Sequence, residues 1–300
     1  MRAFVHRRLI GVGLGLALAI PRLSSAQGAD RERATHVRYL ALNVAIGATA
    51  SMARAIVTGA PIRSTVAKGL LGGSMMAAGM ELIGTESAAG RFAGLQLAAA
   101  GASVARSADD GMPVFSDITL PVYPFYVRVR PGTPSPVTAR LSTLSAIRLA
   151  SAVTGRDRPS VDWGATMATG APVLRSPRWR LPSSSCGSSC DGSFAQHNAG
   201  VIIYSSSAGT DYDLRRTLAH EALHLAQQSR DAVLHAIPAS DAALIRLGAP
   251  GRAISRFLVV DVMMPLRFID EGELRMRGGP RRQSWYETEA RAFAPGGELR

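Results

Sequence analysis

The stretch Thr217-Leu218-Ala219-His220-Glu221-Ala222-Leu223-His224-Leu225-Ala226-Gln227-Gln228 decides how the rest of the chain is read. Leu214, Leu218 and Leu225, with the alanines between them, recur at helical spacing, and no Pro or Gly interrupts the run. Thr210, Asp211 and Asp213 offer N-caps, and the acids suit the positive end of a helix. Gln227, Gln228 and Arg230 give the helix a polar close. Residues four apart on a helix share a face, so His220 and His224 can reach one metal ion. Glu221 then lies beside that ion, able to take a proton from a water. The pattern H-E-x-x-H on a helix is the strongest chemical signal in the chain, and zinc is the ion it suits.

A catalytic zinc takes three protein ligands and leaves a position for water. Gln227 and Arg230 stand where a closely following Gly or His would be needed, and His235 lies three turns beyond His224, out of reach. The third ligand is therefore expected among downstream carboxylates. Ser284-Trp285-Tyr286-Glu287 is an S-x-x-E capping box that starts a helix, and Pro295 ends it. That assignment engages Glu287 with its own helix terminus. Glu289 lies deeper, next to the small Ala290, where a second helix can pack closely. Glu289 is the favoured ligand, with Glu271 and Glu287 as the alternatives. Tyr286, Tyr204 and His197 are candidates for the donor that steadies a developing oxyanion. Asp261 and Asp270 are candidate acceptors behind the histidines.

Upstream, Val201-Ile202-Ile203-Tyr204 reads as a short strand followed by a Ser/Gly turn. A strand edge there could pair with an extended substrate backbone. Strand, turn and H-E-x-x-H helix together form the local context of a zincin-type peptidase. The run Thr217–Gln228 resembles the motif helix of the gluzincin group of zinc metallopeptidases. Glu287-Thr288-Glu289-Ala290-Arg291-Ala292 matches the E-x-E-A-x-A-like helix that members often carry downstream. The resemblance covers about the last third of the chain; Ala222 departs from it, where many relatives have a larger apolar residue. It implies one zinc ion bound by His220, His224 and Glu289, Glu221 as general base, and a protein or peptide substrate.

The first 26 residues carry Arg2, Arg7 and Arg8, then an apolar run from Leu9 to Ile20, then Ser24-Ser25-Ala26. This is the order of an export signal cleaved before Gln27, and it predicts a periplasmic or cell-envelope location. Gly11-Val12-Gly13 lies inside that segment with no strand before it, so nucleotide binding is rejected. In an exported chain the two cysteines, Cys186 and Cys190, are expected to form a disulfide. The formal charge of +12 falls to +8 without the four arginines of residues 1–26, and Lys68 is the only lysine. Basic clusters interleaved with aromatics are lacking, so nucleic acid is not an expected partner. An anionic membrane surface suits the charge better.

Residues 27–111 are rich in Ala and Gly, with apolar runs at Leu40–Met52, Gly69–Met80 and Phe92–Ala105. Small residues recur four apart: Gly47 and Ser51, Gly69 and Gly73, Gly90 and Gly94. Two readings stay open, a membrane-inserted helical segment, which is favoured, and a tightly packed helical domain. Residues 112–206 carry strand and turn signals. Tyr123 to Arg130 alternates with a period of two and is expected as one strand, and Val161 to Leu174 holds another strand or two. The expected fold class is α+β. It comprises a leader at 1–26, an Ala/Gly-rich helical segment at 27–111, and a zincin-like unit at 112–300, β-rich over 112–206 with both site helices in 207–300. The expected function is an exported, membrane-associated zinc metalloendopeptidase. The alternative is a cell-envelope membrane or interaction protein that keeps a non-catalytic metal-binding domain.

Overall fold

The computed structural model describes residues 28–85, 87–155, 158–176, 195–205, 211–260 and 285–294. The leader at 1–26, Cys186 and Cys190, and the segment carrying Asp261, Asp270, Glu271 and Ser284 lie outside the described residues.

The fold is α+β. Three long helices come first: α1 (Gly28–Thr58), α2 (Ile62–Gly84) and α3 (Ala88–Asp109). They contain the three apolar runs in order. Among the described residues no helix is long and apolar enough to cross a membrane. The small residues serve helix–helix contact. Gly47 and Ser51 of α1 meet Gly69 of α2, and Gly73 touches the backbone of Asn43 and Val44. On a neighbouring face of α2, a Cβ added at Gly72 would stand 2.6 Å from the Gly101 carbonyl oxygen and 2.7 Å from the Ala105 nitrogen of α3. Backbones this close leave no room for a side chain. Gly94 faces Gly79 in the same way, whereas Gly90 sits in the first turn of α3, donating its N–H to the Ser87 hydroxyl at 2.9 Å.

Two four-stranded sheets follow. The first has the order β1-β2-β3-β8, from β1 (Ile118–Val122), β2 (Phe125–Val129), β3 (Val137–Ser142) and β8 (Leu258–Val259). The expected single strand from Tyr123 to Arg130 begins two residues late, because Tyr123 and Pro124 form the hairpin turn that pairs Val122 with Phe125. That turn interrupts the alternation. Tyr126 is buried while Phe125 is 43% exposed, and the Tyr123 and Tyr126 rings meet edge-on with centroids 5.7 Å apart. After β3 come α4 (Thr143–Thr154), β4 (Ser160–Val161) and α5 (Trp163–Thr169). The second sheet has the order β4-β5-β7-β6, with β5 (Val173–Ser176), β6 (Ala195–Asn198) and β7 (Val201–Ser205). The strand expected at Val201–Tyr204 is thus present, but it is interior. It lies parallel to β5 and antiparallel to β6, and every residue in it is buried.

The H-E-x-x-H helix is α6 (Asp211–Asp231). It runs through a π-helical turn at Ala232–Ala236 into α7 (Ile237–Arg246), then α8 (Gly248–Ser255). The last helix is α9 (Trp285–Phe293). Leu218, Leu223 and Leu225 of α6 share one hydrophobic core with Tyr39, Met76, Met80, Ile83, Leu95 and Phe293. Helices α1 to α3 are therefore part of the wall around α6. The polar end expected for α6 is not a solvated one: Gln227, Gln228, Ser229 and Arg230 are all buried. The helix continues past them, α9 packs alongside and Asn43 of α1 reaches in, so Gln227, Ser229 and Arg230 find partners inside the protein. One of these, the Ser229 hydroxyl, meets the Tyr123 hydroxyl at 3.0 Å and ties the first sheet to α6.

Candidate metal centre

Helical geometry puts His220 and His224 one turn apart, and both are turned inward by the apolar residues flanking them. Their rings stand perpendicular with centroids 4.8 Å apart. His220 is 6% and Glu221 7% exposed, in keeping with a helix enclosed on most sides. The carboxylate that meets the histidines is Glu287, in the first turn of α9. Its Oε2 lies 3.5 Å from His220 Nε2 and its Oε1 lies 3.5 Å from His224 Nε2. The three groups can offer donor atoms that all lie within 4.8 Å of one another.

A separation of 3.5 Å is too long for a good hydrogen bond, which for N–H···O falls at about 2.7–3.2 Å. It is close to the edge of a tetrahedron about a zinc ion, since bonds of about 2.0–2.1 Å put neighbouring ligand atoms roughly 3.4 Å apart. Two imidazole nitrogens and one carboxylate also form a donor set that zinc takes. His220, His224 and Glu287 could hold such an ion. The cluster favours the charged forms of His224 and Glu287. Burial opposes a charge on His224, but Glu287 and then Glu221 outweigh it and raise its pKa. Burial likewise pushes the Glu287 carboxyl up, and the two imidazoles hold it well below the usual carboxylate range.

Glu289, the favoured third ligand in the sequence, has a different place. Residues two apart on a helix point about 200° apart, so Glu289 cannot face where Glu287 faces. Its side chain is fully buried. It accepts from Asn43 Nδ2 at 2.8 Å, Gln227 Nε2 at 2.9 Å and Arg230 Nη1 at 2.9 Å. Arg230 Nη1 also donates to Asn43 Oδ1 at 3.0 Å, and Asn43 Nδ2 to the Tyr39 carbonyl at 2.9 Å. Gln227 Oε1 lies 2.8 Å from His224 Nδ1. Glu289 thus reaches the centre indirectly, through Gln227 to the far side of His224. Ala290 is fully buried, as close packing there requires, but the acid that packing aims at the histidines is Glu287.

The other candidates are distributed as follows. His235 is exposed. Tyr204 donates its hydroxyl proton to Asp162 at 2.8 Å. Burial, then that bond and the Asp162 charge, push its pKa up to about 12, so its proton is already committed. Asp162 also caps α5 by accepting from Ala165 N–H at 2.9 Å. The side chains of His197 and Tyr286 lie outside the described residues. Sequence reasoning did not find Gln227, Arg230 or Asn43. Gln227 had a signal, since a residue three after His224 lies on the same face, and Arg230 repeats that step. Asn43 had none.

The chain matches no protein-family model, no curated protein and no solved structure.

Proposed function

We propose that the protein is a zinc-dependent peptidase whose metal is held by His220 Nε2, His224 Nε2 and Glu287. The observation that carries this reading is the Glu287 carboxylate straddling both histidines at 3.5 Å, a ligand spacing on a helix that also carries Glu221. A zinc ion there would supply Lewis-acid polarisation and a nucleophilic water at neutral pH. Glu221 holds the carboxylate that accepts the proton from the attacking water and returns it to the leaving amine. Its position favours that role: it follows His220 directly, and its charge acts on His224. Helices α2, α3 and α9 pack against α6, where His220 and Glu221 are buried, and burial strengthens each of these electrostatic interactions.

The geometry of the second sheet supports an extended peptide as substrate. Strand β7 has neighbours on both sides, so it has no free edge. Strands β4 and β6 are the two edges among the described residues, and β6 is the one that packs against α6. One side of β6 bonds to β7, and among the described residues no strand pairs with its other side, where an extended segment could add.

The test compares wild type with Glu221→Gln for zinc content by elemental analysis and for cleavage of a peptide library. The expected result is about one zinc in each, with cleavage lowered about 10²–10⁴-fold in the variant. No zinc in wild type after incubation with the metal would overturn the proposal. Equal cleavage by both proteins would remove Glu221 from its role.

A further inference from the structure

A histidine binds a metal through Nε2 only if that nitrogen is free of its proton, and a neutral ring keeps one proton on one of its two nitrogens. At His224 two neighbours compete for it. Glu287 lies 3.5 Å from Nε2 and, as a carboxylate, favours a proton there. Gln227 lies 2.8 Å from Nδ1. An amide side chain can either donate or accept, so Gln227 alone would fix nothing.

Glu289 removes that freedom. It is paired with Arg230 at 2.9 Å, and a carboxylate in an ion pair only accepts. Its Oε2 stands 2.9 Å from the Gln227 amide, so the amide must present its NH2 group to Glu289. The reverse orientation would press two oxygens together inside the protein. Gln227 Oε1 is then the atom facing His224, and a carbonyl oxygen accepts only, so the proton belongs on Nδ1. Asn43 and Arg230 hold Glu289 from its other side, and all four side chains are buried, so water does not compete for these bonds.

We infer that Glu289, acting through Gln227, is a positioning residue that keeps the neutral His224 ring in its Nδ1–H form, leaving Nε2 free for the metal. The consequence for metal binding rests on the zinc reading above; the tautomer itself is a property of the metal-free chain. Partners behind a metal-bound histidine change affinity about 10–100-fold.

The experiment uses the full chain without metal, with the histidine side-chain nitrogens labelled, at a pH where His224 is neutral. Nitrogen NMR should report Nδ1–H for His224 in wild type. Nε2–H there would overturn the inference outright. Gln227→Met should move the proton to Nε2, where Glu287 draws it, and weaken zinc binding about 10–100-fold in chelator competition. Exchange of the two groups, Gln227→Glu with Glu289→Gln, preserves net charge and keeps an acceptor facing His224 Nδ1, reversing only the donor in the 227–289 bond, and should restore both the Nδ1–H form and most of the affinity. A folded Gln227→Met protein with unchanged tautomer and affinity, or a folded exchange variant with Nε2–H, would sink the idea. If wild type shows Nδ1–H yet takes up no zinc, the positioning stands and the proposed function falls.

Discussion

Arg230 and Glu289 form an ion pair at 2.9 Å between α6 and α9, with the carboxylate fully buried. Every lone-pair direction of Glu289 that the fold reaches is used: Asn43, Gln227 and Arg230 all donate to it. Taking a carboxylate and a guanidinium out of water is costly, and only such complete bonding makes the arrangement tolerable. Glu289→Ala takes the nearest carboxylate from a buried Arg230, leaving it Asn43 and the more distant Asp231 at 3.4 Å. We expect a loss of about 3–5 kcal/mol in unfolding free energy, measured by urea denaturation. Removing both charges together, as Arg230→Met with Glu289→Met, should cost less than either single change.

Glu287 behaves differently, because it faces the histidines and keeps some contact with solvent. Glu287→Gln is expected to remove zinc with little loss of helix signal in far-UV circular dichroism. The fall in affinity should exceed the about 10–100-fold expected of residues behind the ligands. Metal analysis after dialysis checks this. If the variant retains one zinc per chain, the ligand is elsewhere.

The contact of α2 with α3 at Gly72 makes that position intolerant. Gly72→Val places a branched side chain against the Gly101 carbonyl, where even a Cβ would be 2.6 Å away. The helices must separate, at a cost of at least about 1–3 kcal/mol. Ser74, exposed on the same helix, serves as the control: Ser74→Val should stay within about 0.5 kcal/mol of wild type. Because α2 also packs against α9, Gly72→Val should weaken zinc binding as well.

Acid should weaken the fold through Asp117. Burial alone would push its carboxyl up, but the bonded Arg128 guanidinium, with Arg106 and Arg130, holds it below its usual value. A lowered folded pKa means the unfolded chain takes up the proton first. The stabilisation is therefore complete above the unfolded value near pH ~3.9 and is lost as pH falls through the lower folded one. Asp117→Asn lacks this term. Wild type should be the more stable protein at about pH 7, with the difference shrinking as pH falls below about 4. A difference that is flat with pH in denaturant titrations would show that the pair contributes packing alone.

The sequence by itself determined the features that depend on neighbours a turn or two away. His220 and His224 share a face because of helical periodicity, and the leucines around them point the helix inward. The short strand at Val201–Ser205 and the three Ala/Gly-rich helices were legible for the same local reason. What those helices pack against was not. Small residues permit close approach in any surroundings, and only the assembled structure put Gly69 on Gly47 and Gly72 on Gly101. The choice between Glu287 and Glu289 also waited on tertiary structure. Both acids lie in one short helix, and the rotation of that helix about its own axis decides which meets the histidines. That rotation is set by α6 and by Asn43 of α1, 246 residues before Glu289, a distance over which no local pattern carries information.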